Sequence, residues 1–477
     1  MTPVNSLFSP ITGLLLILAY GLGAFALTRL FTQRRVSSKQ DFLLADRNLG
    51  TWPAAFSIAA TWIWAPALFL ASEKAYTQGL AGVFWFIAPN VACLLLFAPF
   101  AARIRRLAPE GFTLSGYMRN RYSARVQIIY QIQLIGLAIC SCGVQLLAGG
   151  AVIVFLTGLP FFPVTLLLML IALSYSLFGG LRASVQTDLA QMILILVVIL
   201  LMVPWVLLKS GGLDVVMQGL GGITGQFSNL FSHESLGVAW SFGIPVTIGL
   251  LAGPFGDQSF YQRAFALQED RIKPAFFSAA LLFALVPLSL ALLGFVAAGQ
   301  QWQISDTQMV NIATVARLLP NWMMIPVALM LLSGLISTID SNLCAVASIA
   351  GHDWTSLKGD KARTSLDRSR LSMILLCCAA LVLANLPGMK ILYLFLFYGT
   401  LRASTLLPTI MTLLRDNIPE PNVFFGILCA ILIGLPLFAW GNFNGLVLWK
   451  VIGALLTVGI SGAIAVSYTH LRAHETS

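Results

Sequence analysis

The chain has 477 residues, of which 58% are hydrophobic and only 10% are charged. A soluble protein carries roughly 25% charged residues, and the mean hydropathy here is +0.87. This composition excludes a disordered chain and disfavours a soluble enzyme. It predicts an all-α polytopic membrane protein, because a chain of this length holds about a dozen spans of ~20 residues.

Apolar runs separated by polar loops predict about thirteen transmembrane helices. They are expected over residues 8–31, 50–72, 82–102, 126–156, 162–178, 184–208, 237–256, 274–298, 322–349, 371–387, 391–413, 422–441 and 446–466. The first run has no small-residue cleavage site after it, so we expect a retained helix rather than a signal peptide. The polar segment 467–477 resembles vector-encoded sequence and is expected to be non-native, in which case the natural chain could be longer.

The basic residues are distributed unevenly between the two sides of the membrane. With the N-terminus placed outside, twenty of the 28 Lys and Arg residues fall in inner loops and four in outer loops. Inner loops of membrane proteins are enriched in Lys and Arg. The pattern predicts a multi-pass protein of the inner (plasma) membrane with a cytoplasmic C-terminus, and it explains the net charge of +10 without a nucleic-acid partner.

Two spans carry helix-breaking residues in mid-membrane. Thr61 and Pro66 lie in the second span, and Gly253 and Pro254 lie in the seventh. Paired breaks five spans apart are typical of inverted-repeat transporters with a binding site at the membrane midplane. The alternative is that Pro and Gly are simply common in membrane helices.

The breaks also divide the chain into segments. The predicted organisation is an N-terminal helix and inner loop (1–49), a transporter core (50–414) with repeats of about 50–208 and 237–414, and peripheral C-terminal helices (415–466).

The ninth span contains a cluster of polar residues. Ser333, Ser337, Thr338, Asp340 and Ser341 occupy about three turns of this helix. A single Ser or Thr usually bonds back to the carbonyl four residues earlier. Five polar groups including a carboxylate instead indicate a site for a small alkali cation, because hydroxyls and freed carbonyls are hard oxygen ligands.

Few charges lie inside the predicted spans; apart from Arg29 and Lys450 near span ends, they are Asp188, Asp340 and Arg402. Charged side chains within the membrane usually have a function. Asp188 and Asp340 could each hold or relay a cation. Alternatively, either one could be a structural partner for a helix end or for Arg402.

Four stretches resemble the sodium/solute symporter family, and they occur in the family's order and spacing between about residues 8 and 441. They are DFLLADRNLGTW (41–52), YSLFGGLRASVQTDLAQM (175–192), GDQSFYQRAFA (256–266) and GLISTIDSNLCAVASI (334–349). The resemblance implies a LeuT-like five-plus-five inverted repeat and sodium-coupled uptake, with sodium as the coupling ion. It also implies that Asp188 lies on the sodium path at the inner side. The implied sodium ligands are the carbonyls of Ala59, Trp62 and Gly334 and the hydroxyls of Ser337 and Thr338.

The solute pocket is expected between the two breaks. Sugar-transporting members carry polar side chains where this chain has Trp64, Ala65 and Pro66, and no ionisable side chain is expected near the middle of either break. We therefore predict a compact neutral or zwitterionic solute, such as urea, rather than a hexose or a strong anion. The alternative is that the tryptophans face lipid. The predicted lining residues are Thr61, Trp62, Trp64, Pro66, Gly253, Pro254 and Asp257.

Together these features predict a sodium-coupled secondary active symporter that imports a small polar organic solute by alternating access. Residues 60–86 are similar to the urea and polyamine branch of the family, so proton coupling is an alternative. A second alternative is the membrane sensor domain of a truncated signalling protein. A pore is disfavoured because no filter motif is present, and an enzyme is disfavoured because no nucleophile–histidine pair or metal cluster stands out.

Overall fold

The computed structural model describes residues 7–31, 38–354 and 362–475, which form helices joined by turns. Within these ranges one isolated backbone bridge pairs Leu49 with Leu267. A helix satisfies its own backbone polar groups, which is what an apolar chain requires in lipid. The prediction of an all-α fold is confirmed.

The first half of the chain contains long helices with short ones between them. In chain order they are α1 (Pro10–Phe31), α2 (Lys39–Leu44), α3 (Thr51–Trp62), α4 (Ala65–Leu107), α5 (Leu114–Arg121), α6 (Ala124–Thr157), α7 (Phe161–Ser210), α8 (Leu213–Gly219) and α9 (His233–Val238).

The second half begins with the short helices around the second break. In chain order they continue as α10 (Ile244–Leu251), α11 (Gln258–Ala266), α12 (Glu269–Gly299), α13 (Val310–Leu318), α14 (Met324–Ser348), α15 (Ala362–Ala384), α16 (Ile391–Leu414), α17 (Glu420–Cys429), α18 (Leu435–Phe443) and α19 (Val447–Glu475).

Helices α4 and α7 each contain a sharp bend at a glycine with positive φ. These residues are Gly79 (+53°) and Gly180 (+55°). A Cβ atom on Gly79 would overlap the carbonyl oxygen of Leu220, and one on Gly180 would overlap that of Phe42. Glycine is therefore required by both the backbone conformation and the available space.

Ten helical runs in the described ranges are long and apolar enough to cross a membrane, which supports a multi-pass membrane protein. Helix lies over each of the thirteen predicted segments, but the bent helices α4 and α7 each cover two of them. The number of thirteen crossings, the repeat boundaries and the orientation of the termini stay predictions. Helix α19 continues to Glu475, into the segment predicted to be non-native.

The break between α3 and α4 has a local cause in the sequence. Pro66 has no N–H group, so it cannot donate to the carbonyl of Trp62 as the fourth residue of a continuous helix would. Ile63 adopts a non-helical conformation (φ −85°, ψ 73°). The N–H of Ala65, which begins the next helix, donates to Oε1 of Gln145 at 2.7 Å.

The second break also lies at a proline that removes a backbone donor. Pro254 cannot donate to the carbonyl of Leu250, which instead accepts from the N–H of Gly253 at 2.9 Å. The carbonyl of Gly256 accepts from Nε2 of Gln133 at 3.0 Å. Both breaks are thus stabilised by a glutamine of α6.

Burial separates central helices from peripheral ones. The apolar window of the run containing α14 is 78% buried inside the protein, whereas that of α1 is 28% buried. The polar cluster of the ninth span therefore lies at the centre of the protein, and α1 lies at its edge.

Candidate cation and solute site

Helix α14 packs directly against the break between α3 and α4. Oγ1 of Thr338 donates to the carbonyl of Thr61 at 3.2 Å and to that of Gly334 at 3.1 Å. A Cβ atom on Gly334 would lie 2.8 Å from the carbonyl oxygen of Ile63, so glycine allows this close approach. The predicted ligands Gly334 and Thr338 therefore lie beside the break, where the carbonyl of Ala59 accepts from the N–H of Ile63 at 2.9 Å.

The neighbouring hydroxyl of Ser337 is bonded to a carboxylate. Oγ of Ser337 donates to Oδ1 of Asp188 at 2.5 Å, and Oγ of Ser57 donates to Oδ2 at 2.5 Å. Asp188 is fully buried. The structure thus places a carboxylate of α7 next to the predicted sodium ligands.

Arg263 of α11 is the counterion of Asp188. Its Nη2 lies 3.0 Å from Oδ2 of Asp188 and donates to Oγ of Ser341 at 2.7 Å, while its Nε donates to Oγ of Ser57 at 2.9 Å. Arg263 follows the seventh predicted span, and its side chain is fully buried. Pairing Asp188 with Arg402 is wrong, because α11 brings Arg263 to this carboxylate.

Asp340 is a second buried carboxylate in the same region. It accepts hydrogen bonds from the hydroxyls of Tyr175 at 2.7 Å, Ser184 at 2.9 Å and Thr187 at 3.3 Å. These donors are neutral, and no ion pair of Asp340 is found among the described residues. Of the two neighbouring carboxylates, only Asp188 is therefore paired with a guanidinium within the described ranges. Such an excess of buried negative charge favours a bound cation or proton.

Thr61 links the two halves of this cluster. Its Oγ1 donates to the carbonyl of Ser57 at 2.8 Å and lies 2.9 Å from Oγ of Ser341. Ser341 also contacts Asp340, with 3.4 Å between Oγ and Oδ1. The predicted solute-binding threonine is therefore connected by hydroxyls to the carboxylates.

The two tryptophans of the first break face the protein interior. Trp62 and Trp64 are buried, and their rings stack with centroids 4.4 Å apart and an interplanar angle of 25°. A Cβ atom on Gly253 would overlap the ring of Trp62, so the two breaks are in contact. The alternative that these indoles face lipid is wrong. Pro66 and Pro254 are buried nearby.

A second buried arginine covers these rings. The guanidinium carbon of Arg402 lies 5.3 Å from the ring centroid of Trp62 and 4.9 Å from those of Trp64 and Tyr398. Its Nη2 lies 3.4 Å from Oδ2 of Asp257. The expectation of no ionisable side chain near the breaks is wrong, because this ion pair lies against both indoles.

The sequence marks Arg402 as an intramembrane charge but does not indicate that it lies in the solute region. The roles of Arg263, Ser57, Tyr175 and Tyr398 were not predicted. An arginine inside an apolar run is a usable signal of function, and Arg402 carried it. Arg263 gave no such signal, because its short amphipathic helix follows a break and resembles a loop in the sequence.

The donor set fits a hard monovalent cation rather than a transition metal. Hydroxyl, carboxylate and carbonyl oxygens surround the α3–α14 contact, and such ligands coordinate sodium in broken-helix transporters. No group of three His, Cys, Asp or Glu side chains is close enough to hold a metal ion in the described parts of the chain. The seven cysteines are free thiols.

Comparisons with known proteins agree with this architecture. The chain is 24% identical over 429 residues to the urea-proton symporter DUR3 of Oryza sativa subsp. japonica, covering 83% of this chain and 60% of that protein. It is 25% identical over 285 residues to the probable urea active transporter 1 of Schizosaccharomyces pombe, covering 55% of this chain and 41% of that protein. The chain thus spans less than two thirds of the length of these relatives.

Among solved structures, a Na⁺-coupled sialic acid symporter in a substrate-bound outward-open state matches with a TM-score of 0.77 and 16% identity, covering 95% of this chain and 97% of that one. This likeness confirms the LeuT-like fold. The model of the sodium:solute symporter family matches residues 42–434. The chain therefore belongs to the sodium:solute symporter family, whose members are membrane transporters and not enzymes.

Proposed function

We propose that this member of the sodium:solute symporter family is a secondary active symporter that imports a small polar organic solute with sodium as the coupling ion. The observation that carries the proposal is the contact between Thr338 of α14 and the carbonyl of Thr61 at the first break. That contact sets hydroxyls, a freed carbonyl and the Asp188 carboxylate side by side, as an alkali cation requires.

The sodium site proposed here has its ligands on two helices. The carbonyls of Ala59 and Trp62 come from α3, while Gly334, Ser337 and Thr338 come from α14. A cation bridging the two would hold α3 against α14. Since Trp62 and Trp64 lie at the end of α3, the same contact would fix one wall of the solute pocket and so couple ion binding to solute binding.

Proton coupling is the second candidate, and Asp340 favours it. Its carboxyl group is held by four neutral hydroxyls and has no cationic partner among the described residues. A buried carboxyl in that setting can take up a proton. The similar protein of Oryza sativa subsp. japonica is named a urea-proton symporter, so sodium and protons must be compared directly as coupling ions.

The test is uptake into proteoliposomes that contain the purified chain. We would impose an inward sodium gradient, an inward proton gradient, or neither, and follow radiolabelled urea, acetamide, acetate, proline and glucose. Accumulation driven by sodium at constant pH supports the proposal, and accumulation driven only by protons supports the second candidate. Downhill flux without accumulation would point to a pore. Solute and ion binding with no flux under any gradient would point to a sensor domain.

A further inference from the structure

Buried hydrogen-bond donors that have no partner within the described residues meet where α16 faces the two breaks. They are Nε and Nη1 of Arg402, Nε1 of Trp64 and the hydroxyl of Tyr398, and all three residues are buried. Unpaired buried donors are rare, because a donor taken out of water without an acceptor destabilises the protein. Several in one place indicate a missing acceptor.

These donors belong to one compact cluster. Tyr398 and Arg402 are four residues apart on α16 and therefore share one face of that helix. The rings of Trp64 and Tyr398 have centroids 5.5 Å apart, and the guanidinium carbon lies 4.9 Å from each. A single small molecule could reach all of them.

The chemistry of the cluster selects the group that it would bind. All the unpaired atoms just named are donors, so the bound group is an oxygen acceptor. The positive charge of Arg402 is already balanced by Asp257, with 3.4 Å between Nη2 and Oδ2. A neutral carbonyl oxygen is therefore favoured over a carboxylate, which would leave a net negative charge in a buried site.

The surroundings suit a planar solute that also carries N–H groups. Trp62 and Trp64 present a stacked pair of aromatic rings. Oδ1 of Asn90 is a buried acceptor with no partner in the part of the chain that the structure describes, and the carbonyl of Asn90 accepts from Nε1 of Trp62 at 3.3 Å. An amide or urea molecule offers both the acceptor and the donors that this arrangement lacks.

We infer that Arg402, Trp64 and Tyr398 form a subsite for the carbonyl oxygen of a planar amide- or urea-type solute. This inference rests on the proposed symport function and gives it a substrate class. The guanidinium now lies over the aromatic rings, so solute entry would move it off them. The hydroxyl of Tyr398 and the free N–H groups of Arg402 would then donate to the carbonyl.

The experiment compares three variants in proteoliposomes, using urea and acetamide as probes and acetate as the carboxylate counterpart. Tyr398→Phe removes one oxygen, and Arg402→Lys retains a charge that can pair with Asp257. Tyr130→Phe is the matched control, since its buried hydroxyl contacts Thr409 at 2.9 Å on another part of α16. We expect KM for urea and acetamide to rise roughly three- to tenfold in Tyr398→Phe, because this variant loses one hydrogen bond to the solute.

The readouts separate this inference from the proposed function. If the wild type accumulates none of the five solutes under a cation gradient, the proposed function is overturned. Any of three results would overturn the subsite. The first is coupled uptake with an unchanged KM for urea and acetamide in Tyr398→Phe. The others are stronger competition by acetate than by acetamide, and transport confined to proline or glucose. At saturating solute, the half-saturating sodium concentration should stay the same in Tyr398→Phe, because this hydroxyl is not a cation ligand. If Arg402→Lys fails to fold, Tyr398→Phe decides.

Discussion

Arg263 and Asp188 form an ion pair in which both side chains are fully buried, with 3.0 Å between Nη2 and Oδ2. The pair joins α11, just after the second break, to the middle of α7. Through the hydroxyls of Ser57 and Ser337 it also reaches α3 and α14. The guanidinium therefore holds both broken helices in one hydrogen-bonded network.

Arg263→Gln should strongly destabilise the protein. Removing one partner of a buried ion pair leaves an uncompensated charge and costs about 3–5 kcal/mol. The double variant Arg263→Gln with Asp188→Asn removes both charges and should recover part of the loss. Thermal unfolding in detergent measures all three proteins.

The exposed pair Arg106 and Glu269 is the control for this experiment. Its atoms are 2.8 Å apart, but its side chains are 57% and 55% exposed. Exposed pairs contribute about 0–1 kcal/mol, so Arg106→Gln should leave the melting temperature almost unchanged. A double variant no more stable than Arg263→Gln would show that the charge of Asp188 is not what destabilises the single variant.

Thr338→Ala should weaken the response to sodium while the protein still folds. The change removes the hydroxyl that links α14 to the carbonyl of Thr61 and deletes one proposed oxygen ligand. Loss of one polar contact costs roughly 1–3 kcal/mol, so the uptake curve should shift to higher sodium concentration. Thr338→Ser keeps the hydroxyl and should behave like the wild type. A curve for Thr338→Ala that overlies the wild-type curve would remove Thr338 from the cation site.

Asp340→Asn should uncouple transport. The substitution keeps the shape of the side chain but removes the buried negative charge that lacks a cationic partner among the described residues. Solute exchange between equal concentrations should continue, whereas accumulation driven by the cation gradient should fall. Tyr175→Phe removes a donor to this carboxylate but keeps its charge, and it should retain accumulation. Equal loss of exchange and accumulation in Asp340→Asn would indicate a structural role.

Much of the fold could be predicted because its signals are local. The breaks follow from Pro66 and Pro254, which remove a backbone donor wherever they stand. The hydroxyl cluster of α14 is visible because polar residues are conspicuous in an apolar run. The tight contact at Gly334 is possible because glycine has no Cβ atom, but its partner, the carbonyl of Ile63, was not predicted, since the resemblance named the carbonyls of Ala59 and Trp62.

The charge pairing could not be predicted, because it depends on which helices meet. Asp188 and Arg263 are 75 residues apart, and Asp257 and Arg402 are 145 apart. Apolar periodicity carries no information about such partners, since buried helices are apolar on every side. The same limit explains why the sequence offered only Arg402 as an alternative partner for Asp188, whereas the partner is Arg263 of α11.

The bend of α7 depends on the absence of a side chain at Gly180. Gly180 has φ +55°, and a Cβ atom there would overlap the carbonyl oxygen of Phe42 in α2. Gly388 also has positive φ (+77°), but a Cβ atom there would meet nothing within 4 Å. Both alanine variants suffer the backbone penalty of about 1–2 kcal/mol, and only Gly180→Ala adds a steric clash with backbone.

Gly180→Ala should therefore express poorly or unfold at a markedly lower temperature, while Gly388→Ala should lose only a few degrees. Fluorescence-detected size-exclusion chromatography after heating measures both in parallel. Because a clash with backbone cannot be relieved by a rotamer change, the difference should exceed the shared conformational penalty. Equal melting temperatures for the two variants would mean that α2 is not packed against the bend of α7.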